Sequence, residues 1–237
     1  MAYTFIGVVI SIFLVMGGLI GSVLIFKQND LLNTQNERID LQNNLLEAER
    51  RSSLIFLMSN VLDKVDDEIK EQRDDFKRKL ESVPDSVKYS LSKPLISRIV
   101  ALSRSLRPYR MMEGDTLSEL VSPERGQLFI SLMENGLDSL TQNTIMENGD
   151  FSYTVIGKID LSGAELSQAN LRGAYLHETN LVWADLIWAD LSRAIGLEKE
   201  LLAQTRTLYN CKNLPSELEA ALKKEKPCLF TKEGCLD

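Results

Sequence analysis

The sequence predicts an α+β protein whose N-terminal half is helical and whose C-terminal part contains a short repeat region. No charged side chain precedes Lys27, and neither Gly nor Pro interrupts residues 27–83. These two patterns favour a long helix. Leucine then recurs at every fifth position from Leu161 to Leu191. A period of five residues fits neither an α-helix nor a plain strand, and a fixed period is typical of a repeat architecture.

Residues 1–26 are predicted to form a transmembrane anchor. The uncharged run from Tyr3 to Phe26 is long enough to cross a hydrocarbon core of roughly 30 Å as a helix. A cleavable signal peptide would begin with a basic region, which this run lacks. The nearest basic residues all follow the run: Lys27, Arg38, Arg50 and Arg51. This asymmetry predicts a single-pass membrane protein with its C-terminal bulk in the cytoplasm.

Gly17 and Gly21 form a GxxxG pattern inside the predicted anchor. Small residues at this spacing let two membrane helices approach closely, which favours a homo-oligomer. The alternative is that glycine is simply common in membrane helices.

Residues 27–83 are predicted to form a helical stalk. From Met58 an apolar seam advances in steps of three and four residues, with one polar member: Leu62, Val65, Ile69, Gln72, Phe76, Leu80, Val83 and Val87. This is the a/d spacing of a coiled coil. Either a partner helix or the helices that follow in the chain would cover the seam. Pro84 ends the run, because the residue before a proline disfavours helix.

Residues 84–148 are predicted to form a helical middle domain. One helix begins near Pro94 and ends before Pro108, and another begins at Ser122-Pro123, where serine can act as N-cap. Four arginines form a candidate patch for an anion or a lipid headgroup: Arg98, Arg104, Arg107 and Arg110. The alternative, favoured here, is that they pair with the acidic stalk.

Residues 149–197 contain the repeat. Seven leucines recur in phase through it: Leu161, Leu166, Leu171, Leu176, Leu181, Leu186 and Leu191. Small residues stand two positions before most of these leucines: Ala164, Ala169, Ala174, Ala184 and Ala189. Phe151 and Ile156 extend the phase backwards.

The triplets AEL, ANL, AYL, TNL, ADL and ADL between Ala164 and Leu191 resemble the pentapeptide-repeat family. The resemblance implies a right-handed β-solenoid with about four pentapeptides per coil, the leucine and the small residue pointing inward. The leucines span about two coils. So short a solenoid needs covered ends, and residues 198–237 are predicted to be a C-terminal helical cap and tail.

The resemblance also implies that the two residues after each leucine face outward. Two successive pairs are apolar, namely Val182 with Trp183 and Ile187 with Trp188, and they form a candidate interaction surface. The alternative, slightly favoured, is that this face packs on the middle domain or on the C-terminal helices.

No catalytic motif accompanies the repeat. The single histidine, His177, is expected on the surface, and the sequence predicts neither an enzyme nor a bound cofactor or metal. Cys211, Cys228 and Cys235 are predicted to be free thiols in a reducing compartment, with a Cys228–Cys235 disulfide as the alternative.

The net charge of −7 argues against nucleic-acid binding. The sequence therefore predicts a membrane-anchored scaffold that binds a protein partner. An oligomeric regulatory or membrane-permeabilising component is the alternative. A DNA mimic that binds a topoisomerase is disfavoured, because the solenoid is short and its charges are mixed.

Overall fold

The structure, a computed structural model, describes residues 2–79, 87–110, 112–113 and 116–235. The chain divides into two compact units, Met1–Ser52 and Ser53–Asp237. Helix α1, Ala2–Lys79, supplies all the described structure of the first unit and begins the second.

The part of α1 that belongs to the first unit ends in a small charge cluster. Glu47 accepts hydrogen bonds from Arg50 at 2.6 Å and from Arg51 at 3.2 Å. The hydrogen bond from Arg50 is the largest cause that lowers the pKa of Glu47, to about 2. All three side chains are partly exposed, so these pairs contribute little to stability.

Among the residues that the structure describes, none of the helices combines the length and the apolarity that a membrane span requires. The predicted anchor over residues 1–26 is not supported by them. Most of its side chains, those of residues 1–15 and 17–20, lie outside the described part of the chain.

The second unit continues with three helices and a hairpin. Helix α2 is Lys93–Ser105, strands β1 and β2 are Met112–Glu113 and Thr116–Leu117, and helices α3 and α4 are Pro123–Glu134 and Ser139–Asn148. The side chain of Ser122 accepts a hydrogen bond from the backbone of Arg125, as predicted for an N-cap. Asp138 caps α4 in the same way through the backbone of Thr141 at 2.7 Å.

The predicted coiled-coil seam is covered by the helices that follow it. Met58, Val65 and Ile69 are buried in the same core as Leu95 and Ile99 of α2. The polar member of the seam also faces the returning chain: the Gln72 amide donates to the Ser90 carbonyl at 2.6 Å and accepts from the Ser90 N–H at 3.2 Å. Of the two alternatives for the seam, the structure shows the fold-back. Leu80 and Val83 lie outside the described residues.

Residues 155–212 wind into coils of about twenty residues. Single parallel bridges join positions twenty apart on all four sides of the coil, namely Val155–Tyr175, Asp160–Asn180, Glu165–Asp185 and Asn170–Asp190. Three further bridges extend the pairing to the next layer, namely Tyr175–Ile195, Asp185–Thr207 and Asp190–Lys212. In this fully described segment the coils pair through single bridges, without the continuous strands that a β-solenoid suggests, because the chain turns every five residues.

Each turn has the same construction. The N–H of the residue three positions after each leucine donates to that leucine's carbonyl, as in Ala164 to Leu161 at 3.1 Å. The residue between them, two after the leucine, has a positive φ, for example +65° at Gly163. This combination is the pattern of a type II turn.

The layer that follows the second coil, which we call the third layer, departs from the sequence prediction. All of residues 198–237 are predicted to form the cap and tail, but the backbone of residues 205–212 pairs with the second coil. The N–H groups of Leu186 and Trp188 donate to the carbonyls of Thr207 and Tyr209. The bridges here join residues twenty-two apart, as in Asp185–Thr207 and Asp190–Lys212, so this layer is offset by two residues from the phase of the repeat.

Both ends of the solenoid are covered. At the first coil, Gly126 of α3 lies so close to Val155 that a Cβ would stand 2.6 Å from the Val155 carbonyl oxygen. At the last layer lie α5, Lys199–Leu202, α6, Ser216–Glu225, and a 3₁₀ turn, Pro227–Phe230. These elements shield the backbone groups that an open end would leave unpaired.

The prediction of three free thiols is wrong for two of them. Cys228 and Cys235 form a disulfide, the alternative that the sequence left open, and Cys211 is free. Two hydrogen bonds place the cysteines together, because Leu208 donates to the Leu229 carbonyl and Cys235 donates to the Arg206 carbonyl.

A buried arginine joins the helices to the solenoid. Arg125 of α3 is 2% exposed and donates to the Ser103 carbonyl at 3.0 Å and to the Asp150 carboxylate at 2.6 Å. It also donates to the carbonyl and hydroxyl oxygens of Ser152 at 2.9 and 2.8 Å. Burial lowers the pKa of Arg125, while the charge of Asp150 opposes that shift.

We expect Arg125→Ala to lower the free energy of unfolding by about 3 kcal/mol, because it leaves buried acceptors and a partly buried carboxylate without their partner. Chemical denaturation monitored by circular dichroism measures the change. Arg172→Ala is the matched control, since Arg172 is exposed on the solenoid and should change stability by less than about 0.5 kcal/mol. Equal losses in the two variants would contradict the role of Arg125.

Candidate functional site

The groups with catalytic potential are dispersed. His177 is exposed, and Cys211 lies partly buried with its Sγ 3.3 Å from the Ala189 carbonyl oxygen. Burial is the main cause that raises the pKa of the Cys211 thiol to about 12. Across the described ranges no three His, Cys, Asp or Glu side chains come together as a metal site would require.

The predicted core residues lie inside the solenoid. All seven leucines from Leu161 to Leu191 are buried, and so are four of the five alanines. Ala164 is half-buried in the first coil. Phe151 and Ile156 are fully buried, and Leu208 adds a buried side chain from the third layer. This buried core holds in place the backbone from which the outward-facing side chains project.

The two tryptophans occupy successive corners of the second coil. Trp183 is 42% exposed and Trp188 is 47% exposed, whereas Val182 and Ile187 are half-buried. The alternative in which this face packs within the chain therefore applies to the aliphatic pair more than to the aromatic pair. We call Trp183, Trp188 and Tyr209 the aromatic corner.

Tyr209 completes the aromatic corner and was missed by sequence analysis. Its ring lies edge-on to Trp188 with centroids 6.5 Å apart. The repeat pattern could not reveal it, because Tyr209 belongs to the third layer, which is out of phase with the leucines of the repeat. The hydrogen bond from the Trp188 N–H to the Tyr209 carbonyl, 3.0 Å, sets the two residues side by side.

The backbone at the aromatic corner is strained. Trp183 and Trp188 have φ of +62° and +60°, a left-handed conformation that costs an L-residue roughly 1–2 kcal/mol. Glycine takes the same turn position at Gly163 and Gly173 without this cost. Gln168, Glu178 and Arg193 take the same conformation, so the strain belongs to the turn position, and the tryptophans differ from these residues in placing large aromatic rings there.

A small cavity lies beside Trp183. It has a volume of about 180 Å³ and is lined by Val182, Ala203, Gln204, Thr205, Lys226 and Cys235 as well as Trp183. Below this corner Asp185 is buried and forms an ion pair with Arg206, while the Ser167 hydroxyl donates to it at 2.8 Å. The ion pair joins the second coil to the third layer, and the hydrogen bond from Ser167 joins the second coil to the first.

The other candidate residues lie apart from this corner. Arg98, Arg104, Arg107 and Arg110 are exposed, and none forms an ion pair with a described carboxylate, contrary to the favoured pairing with the stalk. Arg110 donates to the Ser118 carbonyl at 3.0 Å. The surroundings of Gly17 lie outside the description, and a Cβ at Gly21 would meet no atom within 4 Å.

Comparison with known proteins identifies the repeat region. Residues 158–193 match the family Pentapeptide repeats in eight copies. No curated protein matches the chain, and no solved structure does.

We expect Cys211 to react with iodoacetamide at pH 8 about a hundredfold more slowly in the native protein than in urea, because its raised thiol pKa leaves little reactive thiolate. Mass spectrometry of the labelled peptide measures both rates. The unfolded protein is the control, with the disulfide left intact. Similar rates in both states would contradict the burial of this thiol.

Proposed function

We propose that this chain, with its pentapeptide-repeat region, is a non-enzymatic, membrane-anchored scaffold that binds another protein through the aromatic corner. The observation that carries the proposal is the exposure of two tryptophans at strained positions of a rigid coil. Trp and Tyr are enriched among the residues that dominate protein interfaces. A rigid backbone also lowers the entropy lost when such side chains are immobilised on binding.

The shape of the corner supports a protein partner over a small molecule. The cavity beside Trp183, about 180 Å³, is smaller than the roughly 300–1,000 Å³ of ordinary ligand pockets. The net charge of −7 disfavours nucleic acid as the partner. An aromatic surface on a convex corner suits a groove or pocket on another protein.

The uncharged run from Tyr3 to Phe26 supports the anchor as a proposal from the sequence. The basic residues after this run favour a cytoplasmic position for the C-terminal bulk. The Cys228–Cys235 disulfide weighs against that side, because disulfides persist mainly in oxidising compartments. The redox state of this pair in cells therefore tests the proposed side directly.

The double variant Trp183→Asn with Trp188→Asn tests the aromatic corner. We expect partner binding to fall by roughly thirty-fold or more, the effect of losing an interface hot spot. Stability should stay constant or rise slightly, because asparagine tolerates a positive φ better than tryptophan. Partners recovered by affinity capture from the native host are quantified against the wild type, and thermal denaturation measures stability.

Arg193→Asn is the matched control, since Arg193 is exposed at the same turn position with φ of +57°. It should retain the captured partners. A loss of about 3 kcal/mol or more in the tryptophan variant would show that these side chains are structural. A stable variant that keeps every partner would remove the aromatic corner from the proposed function.

Thiol trapping at the moment of cell lysis tests the proposed side of the membrane. If the C-terminal bulk is cytoplasmic, trapping with N-ethylmaleimide under denaturing conditions should find Cys228 and Cys235 reduced. The control sample is reduced before labelling and reports full modification of both residues. Cysteines that label only after reduction would place the C-terminal bulk in an oxidising compartment.

A further inference from the structure

Five consecutive residues of α1 near the start of the second unit are apolar. Successive residues of a helix point about 100° apart, so residues 54–58 cover its whole circumference. Met58 is buried, but Ile55, Phe56 and Leu57 are 47%, 66% and 51% exposed. A helix that is apolar on every side is normally buried on every side. The described chain covers only one side of α1 at this level.

A groove opens next to these side chains, between α1 and α2. Its volume is about 620 Å³. Its apolar walls are formed by Leu54, Leu57 and Val61 of α1 and by Leu95, Ala101 and Leu102 of α2. We call it the α1–α2 groove. All of its residues belong to the unit Ser53–Asp237.

The charged residues of the α1–α2 groove are Asp63, Lys64 and Arg98. Lys64 is engaged, because it donates to Asp67 at 2.8 Å, and this hydrogen bond is the main cause that raises the pKa of Lys64. Asp63 and Arg98 form no ion pair with any residue in the described ranges. The groove therefore carries one anion and one cation that lack an ion-pair partner within the described chain.

We propose that a second copy of this chain occupies the α1–α2 groove, with the two copies related by a twofold axis. Each copy would place the exposed apolar side chains of Ile55 and Phe56 in the groove of the other. A twofold contact is self-complementary, so Asp63 of each copy can lie beside Arg98 of the other. The proposal depends on neither the aromatic corner nor the anchor.

The charges of Asp63 and Arg98 favour a second copy over an anionic amphiphile and over an uncharged apolar helix. An anionic amphiphile could pair with Arg98, but Asp63 would repel its headgroup. An apolar helix without charges would leave both Asp63 and Arg98 desolvated and unpaired, which is unfavourable. A second copy supplies an apolar surface together with both counter-ions.

A charge-swap cycle on the full chain in detergent tests the proposal. We expect Asp63→Arg and Arg98→Asp each to weaken self-association by about tenfold or more, because each places like charges together. The double variant should restore association to within about threefold of the wild type, since the pair is re-formed with its signs exchanged. Sedimentation equilibrium measures the dissociation constants.

Asp66→Arg and Arg104→Asp are the matched controls, because both residues are exposed and lie outside the groove lining. They should leave association unchanged. Phe56→Glu should also weaken association while circular dichroism shows an intact fold. A monomeric wild type, single swaps without effect, or a double variant that loses the sum of both effects would each overturn the proposal. Native mass spectrometry that finds a monomer with a bound amphiphile would overturn it as well.

Discussion

The hydrogen-bonded ion pair of Arg125 and Asp150 is the contact on which the second unit depends. A buried guanidinium is tolerated only when its donors are satisfied, and here they reach α2, the start of the solenoid and the carboxylate together. Asp150 extends the network, since it accepts from Asn170 at 2.9 Å in the first coil. The directions of these hydrogen bonds fix the position of the first coil relative to the helices.

Once the first coil is placed, the solenoid propagates by stacking. Backbone N–H and carbonyl groups of one coil pair with those of the coil about twenty residues away, and each leucine adds to a continuous apolar column. Polar side chains repeat the same spacing, as in Asn180 donating to Asp160 at 2.9 Å. A repeat of this kind is stabilised by its neighbouring layers, so both ends must be covered by other structure.

The surfaces left exposed have different physical characters. The aromatic corner projects from a rigid coil whose corner positions impose a positive φ on every residue. The α1–α2 groove is a recess between two helices with opposite charges in its lining. The two surfaces are built from separate elements of the second unit, so a substitution in one of them leaves the residues of the other unchanged.

The five-residue period determined that residues 149–197 form a repeat, and the resemblance of its triplets to a known family supplied the solenoid, its core leucines and the outward position of the tryptophans, because every layer repeats one local turn. The helix starts at Pro94 and Ser122 were likewise evident, since capping acts over a few residues. Only the tertiary structure decided that the stalk seam folds back, that Tyr209 joins Trp188 and that Cys228 meets Cys235. These contacts join segments distant in sequence or outside the repeat, and no local pattern encodes which surfaces will meet.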